Sequence, residues 1–381
     1  MQIPKSLKEK RFTFALPEVD VKTTVFGPTP PNIFVGWNNY PRVSWGPMVS
    51  ISHEDVSLID DPTKWLGLST KNIIEYRSML LRSKLQQNVY EKTKLLEKAQ
   101  EAILSVKPID VEIDFLRRPD YRMTFSNFMQ PMGPSAPIKD FRICENPVIP
   151  KKVDEVFEEK LKAEVMLNEL FSDKFDVYYL TKLLSAGTLG IKTKLVPTRW
   201  SITAVDDTVS KRLIKKIKTY PEVAGYQVYT SEYLSNHFEI LLIPGKWEFE
   251  QFEVWSPKTI WTREIDERIL IEDYEGWDGR TTYSKAEGGG YYAGRFAVSE
   301  ALENMRRQAR VVVFREIYEG YTIPVGVWQI REQVRHAFKS QAKKFSTLKE
   351  ALEYLGTRLR VPISEYVKRS RIIRQSRLGE F

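Results

Sequence analysis

One cysteine, Cys144, and three histidines in 381 residues leave almost nothing from which to build a soft-metal site or a disulfide framework. A lone thiol excludes an intrachain disulfide and a multi-cysteine zinc cluster, and three imidazoles leave little for a histidine-rich metal site. Cys144 reads as an incidental or buried thiol. No apolar stretch reaches the ~20 residues that cross a bilayer. The first eleven residues carry Lys5, Lys8, Lys10 and Arg11 but lack the apolar run of a secretory signal, so the expectation is a soluble, cytoplasmic protein with no membrane partner. Internal repeats are missing as well. What is present is a 42% hydrophobic content and enough length for a large core in two domains, or three.

A surplus of charge is also missing from most of the chain. Residues 331–381 hold 13 Lys/Arg against 5 Asp/Glu, leaving 45 against 45 before them, so the whole net charge of +8 sits in the C-terminal segment. Its cations, among them Lys343, Lys344 and Arg369, form a candidate phosphate-contacting surface or a field that steers the protein to nucleic acid. Solvated helix faces are the plain alternative. The segment closes on Gln375-Ser376-Arg377-Leu378-Gly379-Glu380-Phe381, a Q-x-x-L-x-x-F pattern shaped like a peptide plug for a DNA sliding clamp (PCNA). Gln375 offers an amide to a polar pocket, and one helical turn places Leu378 and Phe381 on the same side. Residues 308–314 fit a relaxed version of the pattern but lie in an apolar run that reads as a buried strand. A polar, basic terminus is where a docking peptide folds on binding; the alternative is a helix end whose Phe381 packs back on its own domain.

The pattern of elements predicts an α+β fold, a mixed or antiparallel sheet with flanking helices and a mainly helical, basic C-terminal region. A polar lead-in (1–22) precedes an α+β domain (23–285), a basic helical domain (286–374) and the tail (375–381). Residues 26–49 are dense in Gly, Pro and aromatics and cannot be helical, because each proline fixes its own φ and biases its predecessor toward extended geometry. They read as short strands joined by tight turns. After helix-start signals at Asp60-Asp61-Pro62 and Ser69-Thr70, the periodicity predicts a long helix over 70–104. Alternation over 109–115 predicts a half-buried strand. Helices are expected at about 151–171 and 176–187, then a strand over 199–205 and a basic helix through 218. Strands near 224–230, 237–243 and 247–255 read as a meander. A Gly-rich loop at 288–290 opens a helix to about 308, followed by a strand over 311–318 and helices covering most of 327–373.

Three constellations carry possible chemistry. Asp206 and Asp207, at the end of the predicted 199–205 strand, offer paired carboxylates for a divalent cation, against the plainer reading that Asp207 caps the next helix. His237 and Glu239 share one strand face, as an acid/base pair or a polar sheet surface. Gly288-Gly289-Gly290-Tyr291-Tyr292-Ala293-Gly294-Arg295 contains G-x-G-x-x-A ahead of a helix, which lets backbone N–H groups approach a phosphate, or merely starts the helix. A divalent cation or a nucleotide stays open as cofactor; no metal site is assigned.

The run Gly27-Pro28-Thr29-Pro30-Pro31-Asn32-Ile33-Phe34-Val35-Gly36, with Tyr40-Pro41-Arg42-Val43 and Gly46-Pro47, resembles the archaeal Nre family of DNA repair proteins. Asp61-Pro62, Trp65-Leu66-Gly67-Leu68, Tyr76-Arg77-Ser78, Val196-Pro197-Thr198-Arg199-Trp200-Ser201-Ile202-Thr203, Gly289 to Arg295 and Val325-Gly326-Val327-Trp328 agree, so the resemblance runs from about residue 24 to the end. It implies a role in DNA damage repair, clamp binding through Gln375, Leu378 and Phe381, and loops that contact DNA or a nucleotide through Arg42, Arg77, Arg199, Gly289, Gly290 and Arg295. Many relatives carry an N-terminal four-cysteine cluster expected to bind zinc, which this sequence lacks, and the family's clamp motif often ends in two aromatics where only Phe381 stands here. No assigned reaction comes with the resemblance. The leading expectation is a clamp-recruited DNA repair factor associated with the nucleoid; the rivals are a metal- or nucleotide-dependent enzyme acting on DNA, and a scaffold without DNA contact.

Overall fold

The computed structural model describes residues 12–15, 22–52, 55–126, 129–259, 262 and 265–374. They fall into two compact units that divide inside one helix, at 209/210. The first unit holds β1 (Phe12–Ala15), β2 (Thr24–Thr29), β3 (Ile33–Val35), β4 (Arg42–Ser50), α1 (Val56–Asp60), a 3-10 turn (Pro62–Lys64), α2 (Thr70–Ser78), β5 (Leu80–Asn88), α3 (Lys94–Ile103), β6 (Ile109–Phe115), β7 (Arg122–Phe125), β8 (Ser135–Ile143), α4 (Lys151–Glu158), α5 (Ala163–Ser172), α6 (Val177–Ala186) and the start of α7 (Thr198–Ile217). Its main sheet has the order β2-β6-β8-β5-β4-β3, antiparallel except for β5 beside β8. β1, within the expected lead-in, pairs with β7.

The Gly/Pro-rich segment forms strands as its prolines require. Gly46 has a packing reason: a Cβ there would collide with the Ser83 backbone oxygen of the neighbouring strand. β6 alternates buried and half-buried residues along its whole length, as expected. Ser69 starts α2 with a capping box to Asn72, and Asp61 caps the 3-10 turn. The predicted 70–104 helix, however, is α2, β5 and α3. Leu80, Leu81 and Leu85 suit a helical stripe, but 80–88 lies between β4 and β8, where tertiary pairing outweighs local propensity. The predicted 199–205 strand is likewise the first part of α7. Its β-branched residues suggested a strand, yet Ser201, Val205, Val209, Leu213 and Ile217 are all buried at a spacing of four, the repeat of a helix face.

The second unit continues with β9 (Tyr226–Tyr233), β10 (Asn236–Ile243), β11 (Glu248–Trp255), β12 (Ile269–Glu275), α8 (Gly289–Met305), β13 (Arg310–Ile317), α9 (Trp328–Ala337), β14 (Lys343–Phe345), α10 (Leu348–Arg358), α11 (Ile363–Arg369) and α12 (Arg371–Arg374). The sheet order is β12-β11-β13-β10-β9-β14. β9 and β10 form the expected hairpin, but the meander stops there. β13 inserts between β10 and β11, parallel to β11, because every residue of β13 is buried and such a strand belongs at a sheet centre. The 308–314 run therefore enters this central strand and is shut off from any partner.

Alternation along these strands makes two buried faces. Leu241, Val312, Phe314 and Phe252 meet Ala351, Leu355, Tyr366 and Ile372 of the C-terminal helices. Gln251, Glu253 and Arg315, of opposite parity, meet α8 and α9. The class is α+β as expected, with helices on both sides of a mixed sheet.

Candidate nucleic-acid interface

Two of the arginines expected to meet phosphate are built into the interior. Arg77 is an ion pair with buried Asp60 and donates from Nε to the Pro131 carbonyl at 2.9 Å. Arg295, also buried, donates to Glu275 Oε2 at 2.6 Å and to Ser210 Oγ at 2.9 Å. Gly289 and Gly290 form the first turn of α8, where a Cβ on Gly290 would lie 2.8 Å from Glu253 Oε1; the missing side chain admits the sheet's own carboxylate. Tyr291 and Tyr292 are core residues. Asp206 is buried and Asp207 half-buried in the middle of α7, so Asp207 is not a cap. Among the described residues, no group of three or more His, Cys, Asp or Glu is placed to hold a metal ion. His237 Nε2 does meet Glu239 Oε1, at 2.9 Å, but Glu239 also accepts from Thr230 at 2.8 Å and Arg358 at 3.2 Å. Cys144 is exposed.

Much of the C-terminal positive charge answers acids of its own unit, on the sheet and on α8 and α9. Arg335 chelates Glu300 and pairs with Glu332, Arg358 reaches Glu239, and Arg369 faces Glu272 at 3.7 Å. Glu316 accepts from the Tyr366 hydroxyl and from the Arg360 and Val361 amides, and Glu250 accepts from Ser370 and the Arg371 amide. Lys343 and Lys344 stay exposed, on edge strand β14 rather than on a helix.

The opposite face holds an excess of acid. Glu287 is buried, accepts from Gln251 Nε2 at 2.5 Å, and has no hydrogen-bond partner at its other oxygen. Burial pushes its carboxyl well above the usual glutamate range, and the Glu253 and Asp273 charges push the same way. The folded chain thus keeps a proton that the unfolded chain releases near pH 4.5, so stability falls as pH rises from there to the folded-state value. Glu287→Gln keeps an acceptor for Gln251 and removes the titration. Its urea midpoint should gain on that of the wild type as pH rises through this window; a constant difference would place the proton elsewhere.

A set of exposed and half-buried cations converges on the first unit. The β3–β4 connection and the start of β4 present Trp37, Tyr40 and Arg42; the turn after β5 presents Tyr90 and Lys92; the α6–α7 connection and the first turn of α7 present Lys192, Lys194, Arg199 and Trp200. Backbone hydrogen bonds align the three segments, from the Val89 amide to the Pro41 carbonyl (2.9 Å) and from the Leu195 amide to the Val89 carbonyl (3.1 Å). Asn39 adopts φ 60°, and the Arg42 amide closes that turn on its carbonyl at 2.9 Å. Lys194 Nζ lies 5.9 Å from the Tyr40 ring, 5.3 Å from the Tyr90 ring and 3.1 Å from the Tyr40 hydroxyl. The Arg199 guanidinium lies 5.1 Å from the Trp37 ring, and the Tyr40 and Trp200 centroids are 5.0 Å apart. The hydrogen bond that the Lys194 ammonium donates to the Tyr40 hydroxyl holds it above its usual range, so Lys194 is a cation.

Within residues 36–46, 88–96 and 190–200 there are six Lys/Arg and a single acid, Glu91, so folding assembles a basic patch from a part of the chain whose overall charge is zero. Of the expected phosphate contacts, Arg42 and Arg199 are on it. Sequence reasoning missed Tyr90, Lys92, Lys192 and Lys194 as members; the available signal was a lysine two residues from a tyrosine in a turn at Lys92, whereas Lys192 and Lys194 stand six or more residues from any tyrosine or tryptophan.

Family comparison covers nearly the whole chain. Residues 7–262 match the family described as "Archaeal Nre, N-terminal" and residues 275–381 match "Archaeal Nre, C-terminal". The chain belongs to the archaeal Nre family. It is 38% identical to the DNA repair protein NreB of Archaeoglobus fulgidus over 95% of this chain and 92% of that one. It is 38% identical to the DNA repair protein NreA of the same organism, over 98% and 94%. Against the DNA repair protein NreA of Haloferax volcanii the identity is 35%, over 91% and 86%. No solved structure matches. The two Nre regions do not coincide with the two compact units, since the N-terminal region takes in β9, β10 and β11 of the second sheet. In this Nre chain the segments that form the basic patch all lie in the N-terminal region. No helix among the described residues is long and apolar enough to cross a membrane.

Proposed function

We propose that this chain is a DNA repair factor, working at chromosomal DNA in the cytoplasm, that the sliding clamp recruits through Gln375, Leu378 and Phe381. Its DNA contact is the patch around Arg42, Lys194 and Arg199, with Lys343, Lys344 and Arg369 of the second unit as further phosphate contacts. The observation that carries the reading is the convergence of five cations and four aromatic rings, from three distant segments, on one surface of a chain whose relatives are named for DNA repair. The tail supports recruitment by its sequence; it lies outside the described residues.

Oligonucleotide affinity measured across a salt series tests the contact. Neutralising phosphates releases counterions, so log Kd should rise steeply with log salt, and Arg42→Gln or Lys194→Gln should each lower that slope by roughly one. Affinity that ignores salt would refute DNA contact. A chain ending at Arg374 should keep its oligonucleotide affinity and its melting temperature while losing co-elution with the clamp; undiminished co-elution would refute the recruitment arm.

A further inference from the structure

We infer that the patch on the first unit selects unpaired nucleotides, taking single-stranded DNA with its bases stacked on aromatic rings and its backbone beside the cations. The inference rests on the DNA-contact reading and narrows its substrate. Rings and cations are interleaved along the patch: Trp37, Arg199, the neighbouring Trp200, then Tyr40, Lys194 and Tyr90, with successive centres 5.0–5.9 Å apart where they meet across segments. Tyr40, Tyr90 and Trp200 are 37%, 55% and 43% exposed, a large apolar area to leave in water at one place. Tyr40 and Trp200 are inclined at 53°, so neither ring covers the other face to face.

The rings discriminate between DNA forms because of where each form keeps its base faces. A duplex buries them in its own stack and shows only base edges in the grooves. Phosphate contact with a duplex needs the lysines and arginines and has no use for flat rings beside them. An unpaired base offers a whole π-face, and stacking tolerates any sequence. The cations beside the rings then do two things, drawing in the backbone and adding cation–π attraction. Repair intermediates with gaps, flaps or frayed ends are the DNA forms that present such bases.

The test uses the full chain with oligo-dT, a duplex of equal length and RNA of the same sequence as oligo-dT. Competition against labelled oligo-dT should favour the single strand over the duplex by at least tenfold. Trp200→Ala and Tyr90→Ala should each weaken oligo-dT binding roughly 5- to 150-fold, with little change in duplex binding. Trp200→Phe should restore most of the loss, because a ring of any kind stacks. Both positions are exposed, and unchanged thermal melts will show that the variants fold. Oligonucleotides carrying 2-aminopurine should be quenched by the wild-type chain, a readout that a purely ionic contact would not give. Equal affinity for duplex and single strand, ring variants that bind normally while Lys194→Gln does not, or RNA that outcompetes DNA would each overturn the inference and leave DNA contact standing. Failure of every oligonucleotide to bind would overturn both.

Discussion

Arg77→Ala should destabilise the first unit by about 3–5 kcal/mol, the cost of removing one partner from a buried ion pair. Asp60 is as buried as Arg77, and its carboxylate also receives Asn32 Nδ2 at 2.5 Å and Lys182 Nζ at 3.0 Å. Those two donors would remain, so the loss arises as much on the arginine side. Arg77 Nε serves the Pro131 carbonyl, its Nη1 serves the Ile59 carbonyl at 3.2 Å, and its guanidinium lies 5.9 Å from the Trp65 ring. Truncation orphans two buried acceptors and leaves a void between α1, α2 and the segment at 131. Lysine cannot substitute, since one ammonium cannot span the carboxylate and both carbonyls with a planar fork. The check is a thermal or urea melt, in which a loss of this size should lower the melting temperature by roughly 10 °C. A wild-type melt combined with weakened oligonucleotide binding would return Arg77 to the phosphate role its sequence block suggested.

How far residues announce such roles depends on the range of the interaction that fixes them. The half-buried strand at 109–115, the helix start at Ser69 and the extended geometry of 26–49 follow from side chains a few positions apart, and the sequence showed each of them. β5 and α7 did not follow, because each is decided by what packs on it: β4 and β8 for the one, a buried face at a spacing of four for the other. β11 was found as a strand and misplaced as a neighbour, since only the burial of β13 puts it next to β10. The site divides in the same way. Arg42, Arg77, Arg199 and Arg295 stand in comparable blocks, but whether a guanidinium meets water or a carboxylate depends on residues elsewhere: Asp60 and Glu275 in two cases, open surface or the Trp37 ring in the others. The C-terminal surplus of charge was legible as a number, and its pairing with Glu239, Glu272 and Glu300 was not, because those acids lie on other elements. The patch escaped notice for the converse reason, its five cations being diluted among 45 acids until the fold gathers them.

Arg295→Met should cost the second unit as much as Arg77→Ala costs the first, and here a second substitution should give it back. The guanidinium is enclosed between Glu275, Ser210 and the rings of Tyr291 and Tyr292, whose centroids lie 5.7 Å and 5.3 Å from it. Methionine fills most of that volume, so the penalty of about 3–5 kcal/mol comes from leaving the buried Glu275 carboxylate without its countercharge. Ser210 adds less, because its neutral hydroxyl oxygen loses one donor and no countercharge. If that account holds, Arg295→Met with Glu275→Leu removes the stranded charge and should return to within about 1.5 kcal/mol of the wild type, because well-packed apolar pairs commonly match buried ion pairs in stability. A double-mutant cycle of urea melts measures the coupling, expected at the top of the 0.5–3 kcal/mol range or above it. Phosphate binding by Arg295 predicts the reverse pattern: additive melts, each close to the wild type, and a loss of oligonucleotide affinity that Glu275→Leu does not repair. The geometry favours the first outcome, since a phosphate would have to displace a carboxylate already held at 2.6 Å in a site with no exposed surface.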